Sequence, residues 1–219
     1  MAIDNFFQRK KDILSKLDKS AKKSWDKKIL NLCNKINKSN NYYTTSSCSG
    51  RIVLMIDSEK KGEGLFIWVS HDLINLKELN EVLEEIKLHS QVREINKNQL
   101  NKKNKLKKLD LINFKSIPRR GQLIKFKQEP CILHVACKNL EAAQKLLNKA
   151  KSAGWKKSGI IASGKRFFCE FNSTEKLEFL IMNKSKILVN KDFFKLTIKK
   201  SNENLKKSWM KIKRLEKVF

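Results

Sequence analysis

Residues Thr44 to Ser49 set six small hydroxyl or thiol side chains in succession, and Gly50 and Arg51 follow directly. Such a run forgoes burial and gathers backbone N–H groups, hydroxyls and a bidentate cation, which is what recognition of a carboxylate or phosphate requires. The same composition suits an ordinary polar loop, because Ser, Thr and Gly are common turn residues. Cys48 adds a sharper alternative, a covalent nucleophile, which would need a cation or imidazole nearby to hold its thiolate. Two histidines could move a proton near neutral pH: His71, after Trp68-Val69-Ser70, and His134, inside the run Cys131–Cys137. Either could equally be a hydrogen-bonded structural group, which is how His89, beside Ser90, reads. Cys131, His134 and Cys137 make a poor metal motif. Side chains alternate along a strand, so His134 points away from both thiols, and the chain has no C-x-x-C pair. Gly62-x-Gly64 falls in an expected hairpin turn, and neither a phosphate loop nor a dinucleotide-type glycine motif is present.

Lys and Arg number 49 against 22 Asp and Glu, a formal net charge of +27. Charge of that size repels itself in a compact fold and is relieved by a polyanion. Phosphate backbones are the usual partner, since each neutralised phosphate releases a counterion. A compositional drift toward Lys, Asn and Ile would raise Lys without any ligand, so the charge points to nucleic acid but to no chemistry. At 219 residues the chain can bury one substantial core, or two small ones sharing an interface. No run approaches the roughly 18–20 apolar residues of a membrane span, and Met1 to Lys11 lacks a secretory pattern. Five cysteines without framework spacing fit reduced thiols and a cytoplasmic location.

Strands and helices must position these residues. Phe6 to Leu17 reads as a short helix ending near Asp18–Ser20. Trp25, Ile29, Leu32, Cys33 and Ile36 then recur at helical spacing, with Lys22, Lys23, Lys27, Lys28 and Lys35 on other faces. Arg51–Asp57 and Leu65–Ser70 read as a hairpin around Glu59–Gly64. Asn75 and Glu78 form a capping box for a helix carrying Leu76, Leu79, Leu83 and Ile86. Residues 93–119, rich in lysines such as Lys102, Lys103, Lys107 and Lys108, read as a basic flexible connection, with docking onto RNA as the functional option. Strands follow at Gly121–Lys127 and Cys131–Cys137. Next comes a helix from Asn139 to about Ala153, with Leu140, Ala143, Leu146, Leu147 and Ala150 inward and Gly154 as its stop. Strands near Ser158–Ala162, Arg166–Phe171 and Leu177–Ile181 precede a final basic helix carrying Leu205, Trp209, Ile212 and Leu215. The pattern predicts a single α+β domain over 1–219, a mixed and largely antiparallel sheet covered by helices. Strand–helix units in both halves suggest an internal β–α duplication.

Tyr42-Tyr43-Thr44-Thr45-Ser46-Ser47-Cys48-Ser49-Gly50-Arg51-Ile52 resembles the signature of the wybutosine-synthesis methyltransferases that act third in that pathway. The resemblance continues at Trp68-Val69-Ser70-His71 and at Glu129-Pro130-Cys131-Ile132-Leu133-His134-Val135. It runs through Ala153-Gly154-Trp155-Lys156-Lys157-Ser158-Gly159-Ile160 to Ser163 and Arg166, and again from Thr174-Glu175 through Lys211-Ile212-Lys213-Arg214-Leu215. It covers nearly the whole chain in order and looks like the archaeal stand-alone form. Cys131 stands after Pro130 where the family commonly has an aromatic, and residues 93–119 match no family pattern. The resemblance implies a fold that is not the Rossmann-like methyltransferase sheet. It also implies S-adenosylmethionine as cofactor and phenylalanine tRNA as partner, with methylation at N-4 of the wyosine-type precursor base at position 37, in the anticodon loop. It implies neither metal nor membrane.

Under that implication His134 or His71 would take the N-4 proton, a role worth about 10²- to 10⁴-fold in rate. Ser46, Ser47, Ser49 and Arg51 would bind the methionine end of the cofactor or a nearby phosphate, and Glu129 a ribose or amine. Arg166, after Ser163-Gly164, would be a second anion contact, with Ser163 and Trp68 on the substrate side. A non-catalytic tRNA-binding module satisfies the charge equally well, and a cysteine-based enzyme centred on Cys48 is a third class.

Overall fold

The computed structural model describes residues 5–16, 25–59, 64–95 and 122–219, with 89–95 described by backbone alone. The expected helix end at Asp18–Ser20, Lys22, Lys23, Gly62, the side chain of His89 and nearly all of the basic stretch 93–119 lie outside those residues. Among the described residues the order is α1 (Phe6–Leu14), α2 (Lys27–Lys38), β1 (Tyr42–Cys48), β2 (Arg51–Ile56), β3 (Phe66–Ser70) and α3 (Leu76–Ile95). Then follow β4 (Leu123–Glu129), β5 (Ile132–Cys137), α4 (Leu140–Ser152), β6 (Lys157–Ser163), β7 (Arg166–Asn172), β8 (Leu177–Asn183), β9 (Lys186–Ile187) and α5 (Lys191–Val218). The strands divide between two sheets, ordered β1-β5-β7-β6 and β3-β2-β4-β8-β9. Every described pairing is antiparallel, so the α+β class without a Rossmann-like sheet holds. No described helix is long and apolar enough to cross a membrane.

The chain forms two compact units. The first comprises Met1–Gly50, Pro130–Glu175 and Leu205–Phe219; the second comprises Arg51–Glu129 and Lys176–Asn204. In the first unit, Leu133, Val135 and Cys137 of β5 with Cys169 and Phe171 of β7 turn one face of the four-stranded sheet toward helices. That face meets Ile29, Leu32 and Ile36 of α2, Ala143, Leu146 and Ala150 of α4, and Ile212 and Leu215 of α5. Each large apolar side chain buried here contributes about 1.5–3 kcal/mol. Asn139 caps α4 by accepting from the Ala142 N–H at 2.9 Å, and Gly154, at φ +95°, ends it in the left-handed region. Leu140, in phase with the apolar stripe, is exposed instead: as the first helical residue it lies a turn short of Ala143, where packing begins. Lys211 closes the C-terminal side, donating to both oxygens of Glu175 at 2.6 Å.

Among the described residues, the opposite face of that sheet is covered at one end. There α1 seats Phe6 against Tyr43 and Ala136, with the Phe6 and Tyr43 rings 5.2 Å apart. The hydroxyl-rich run, expected as a loop, is the edge strand β1. Its backbone pairs with β5, and a register shift between Thr44 and Ser46 absorbs the irregularity. Pairing satisfies the backbone regardless of side-chain polarity, and one solvated face tolerates Ser and Thr.

In the second unit the central strands bury Ile52, Leu54, Phe126 and Ile181, alongside Leu79, Leu83 and Ile86 of α3. Asn75 caps α3 as expected, accepting from the Glu78 N–H at 2.9 Å. Phe126 stacks on Phe179 at 5.2 Å, and Phe179 meets Phe193 of α5 edge-on at 5.0 Å. The helix α5 begins at Lys191, well before the expected apolar stripe, because Asn190 caps it through the Phe193 N–H at 2.9 Å.

Asp26 does two jobs in the first unit. One oxygen accepts from the Lys28 N–H at 3.2 Å and caps α2; the other accepts from the Ser49 N–H at 3.0 Å and from its hydroxyl. Asp26→Ala is therefore expected to lower unfolding free energy by about 2–3 kcal/mol, a lost cap plus a stranded buried hydroxyl. Urea denaturation checks this; a loss below about 0.5 kcal/mol would contradict the dual role.

Candidate functional site

Four residues on four adjacent strands make one row across the open face of the four-stranded sheet. Ser46 stands opposite His134, His134 opposite Glu170, and Glu170 opposite Gly159. Residues directly opposite in antiparallel strands project on the same side. Leu133 and Val135 point into the core, so His134 between them points out. Its Nε2 lies 3.7 Å from Glu170 Oε2, and the two side chains are 39% and 40% exposed. Asn172 holds the other Glu170 oxygen, donating from Nδ2 at 2.7 Å. Gly159 has no left-handed φ, and a Cβ built there would meet nothing within 4 Å. The glycine therefore leaves open space at the end of the row.

Arg166 and Ser163 close the β6–β7 hairpin on the same face, where Gly164 takes φ +59° in the turn. Arg166 also lines a cleft of about 280 Å³ beside α1. Ser47, by contrast, pairs opposite Leu133 on the core side, and its hydroxyl hydrogen-bonds the Cys33 thiol. Ser49 is fully buried on Asp26. Of the three serines expected to bind the cofactor, then, Ser46 alone joins the open row. Gly50, at φ +100°, ends the run in a conformation that suits glycine. All five cysteines are free. Burial pushes the Cys33 and Cys131 thiols up to about 12, so both stay protonated and unreactive at neutral pH.

The second unit holds the other candidates. Arg51 is opposite Glu129 in the β2–β4 register and donates from Nε to its Oε2 at 2.5 Å. Lys127 reaches the second oxygen at 3.0 Å. Burial raises the Glu129 pKa, but Arg51 and Lys127 together outweigh it and hold the carboxyl below its ordinary value. Arg51, read from sequence as an anion clasp, thus already clasps an anion of its own chain. Trp68 is 1% exposed, and its indole N–H is buried without a hydrogen-bond partner among the described residues. Such a donor asks for an acceptor. His71 is half-buried just past the end of β3.

The sequence reading missed Glu170, Asn172 and Gly159 as members of the row. Gly159 sat inside a motif that carried the family resemblance. Glu170 gave only the signal of an acid on the outward parity of a half-buried strand, which is ordinary until the register puts it beside His134.

Comparison with known proteins gives concordant results. The family described as Methyltransferase TYW3 matches residues 8–219. The chain is 34% identical over 215 residues to a Pyrococcus horikoshii protein named tRNA(Phe) 7-((3-amino-3-carboxypropyl)-4-demethylwyosine(37)-N(4))-methyltransferase 1, covering 97% of this chain and 94% of that one. It is 29% identical to the tRNA wybutosine-synthesizing protein 3 homolog of Danio rerio, covering 96% of this chain and 73% of that one. Among solved structures, the PH1069 protein from Pyrococcus horikoshii superposes with a TM-score of 0.75 at 29% identity, over 98% of this chain and 93% of that one.

The Arg51–Glu129 pair has a testable pH signature. A carboxyl depressed in the folded state stabilises above its unfolded pKa, and that contribution is lost as pH falls through the folded value. In a carboxyl-carbon NMR titration, Glu129 is expected to titrate below an ordinary glutamate, and to move up in Arg51→Met. An unchanged Glu129 midpoint in that variant would contradict the pairing.

Proposed function

The chain belongs to the Methyltransferase TYW3 family, and on that footing we propose that it methylates N-4 of the wyosine-type precursor base at position 37 of phenylalanine tRNA. The relatives' names carry this substrate. Family membership implies a methyl donor, which we take to be S-adenosylmethionine. One observation supports locating the chemistry in the first unit: the Ser46–His134–Glu170–Gly159 row, polar, oriented and open.

The residues of that row fit such a donor. A sulfonium is a cation, and Glu170 is a fixed carboxylate on an otherwise basic protein. Ser46 and Asn172 offer hydrogen-bonding groups for hydroxyls or an amine. The space above Gly159 admits a flat group against the sheet. When bound, the donor supplies an electrophilic methyl carbon for in-line displacement.

His134 accepts the proton that leaves N-4, and Glu170 stabilises the imidazolium so formed. Ser46 orients what lies against the row, and the rigid sheet beneath limits misplacement, which supplies much of the rate in transfers of this kind. In the second unit, Arg51 and Lys127 against Glu129 leave one net positive charge, which we assign to attraction of the polyanionic tRNA. His71 is retained as the second candidate base. Catalysis by residues 1–219 as one domain is part of the same proposal.

His134→Gln and Glu170→Gln test the assignment in an assay that follows methyl incorporation into precursor tRNA by mass spectrometry. His134→Gln is expected to lower kcat about 10²- to 10⁴-fold with little change in KM for tRNA. Glu170→Gln is expected to lower it less and to weaken binding of the donor. Turnover near wild type in His134→Gln, with His71→Gln inactive, would transfer the base role to the second unit.

A further inference from the structure

The cleft beside α1 lies in the first unit, at the end of the sheet face that carries the row assigned to chemistry. Arg9, Lys16, Lys138, Lys165 and Arg166 converge on it, opposed by Asp12. Asp12 already accepts from Gln8 Nε2 at 2.8 Å. Among the described residues, none of the five cations pairs with a carboxylate, whereas Lys145, Lys195 and Lys211 elsewhere in the chain each do. Lys138 has instead an aromatic neighbour, its Nζ 5.3 Å from the centre of the Phe7 ring. Five like charges with one acid among them, around about 280 Å³, repel one another. The floor is Phe6, Tyr43 and Phe168, a low-dielectric wall that focuses the positive field outward.

We propose that this cleft binds the phosphodiester backbone of the RNA strand that carries the methylated base. The charge complementarity is one argument. The volume is another: it falls just short of the usual range for a complete small-molecule site, and it suits a phosphate with its sugar. A sulfonium donor would be repelled by the same five cations. Placement is the third. Ala136 and Phe168, at the cleft floor, precede or follow His134 and Glu170 by two residues on β5 and β7. Two residues of strand are about 7 Å. The cleft is therefore continuous along the sheet with the row, and Thr45 joins them, lining the cleft while its hydroxyl donates to the His134 carbonyl at 3.4 Å. A strand lying in the cleft presents its next nucleotide over His134. The inference rests on the methyltransferase reading for the identity of the RNA, though not for the presence of a phosphate site.

The test is binding of a phenylalanine tRNA transcript to the full chain across a salt series, with no methyl donor present. The double variant Lys138→Gln, Lys165→Gln should weaken Kd several-fold and flatten the slope of log K against log salt by about 2, one per lysine. The control Lys151→Gln, Lys156→Gln removes the same charge from exposed positions outside the cleft and should leave the slope near wild type. With donor added, the cleft variant should raise KM for tRNA and leave kcat unchanged. Equal flattening by both doubles, or none by the first, would overturn the proposal, as would a cleft variant that lost binding to anionic phospholipid vesicles while keeping its tRNA slope. Intact tRNA binding through the cleft in a protein with no methyl transfer would refute the enzyme reading alone.

Discussion

The alternation of side chains along β5 organises the first unit. Leu133, Val135 and Cys137 must enter the core, and this forces His134 outward between them. The neighbouring strands are locked in register by their own buried residues, so the groups facing His134 are equally fixed: Ser46 on one side, Glu170 on the other. A slip of one residue would drive an imidazole and a carboxylate into the core and expose Leu133 and Phe171. The packing that stabilises the sheet is thus the same constraint that sets the polar row, and no loop is needed to hold it.

Charge is unevenly distributed across that face. At the end covered by α1, cations gather around an aromatic floor with a single acid among them. Two residues along, the polarity changes to a carboxylate, an imidazole and a hydroxyl. An anionic strand and a cationic donor would be attracted to adjacent parts of one surface without competing. The Arg51–Glu129–Lys127 group of the second unit is different in kind: its members largely neutralise each other, and Glu129 is held ionised by its neighbours.

Much of this was legible in the sequence. The apolar periodicities marked α2, α4 and most strands, and alternation alone put His134 opposite the Cys131 and Cys137 thiols. The cap Asn75 and the helix stop Gly154 were readable because both are local signals. Ser49, Arg51 and Glu129 were read as cofactor-binding candidates, while their partners within the chain were hidden. Arg51 and Glu129 meet only through the β2–β4 register, 78 residues apart in the chain, and Ser49 is captured by Asp26 from the start of another element. The strand character of β1 was masked by its serines, since a solvated edge carries little apolar alternation. The row itself is a product of register between four strands, and register is not a property of any one of them.

The central claim, that the methyl donor meets the open face of the four-stranded sheet, is tested most directly by backbone amide NMR during titration with S-adenosylhomocysteine. The account predicts that the shifted resonances centre on Ser46, His134, Gly159 and Glu170, with the amides around Arg9 and Lys165 little changed. Saturable binding that leaves those four amides unmoved would contradict it.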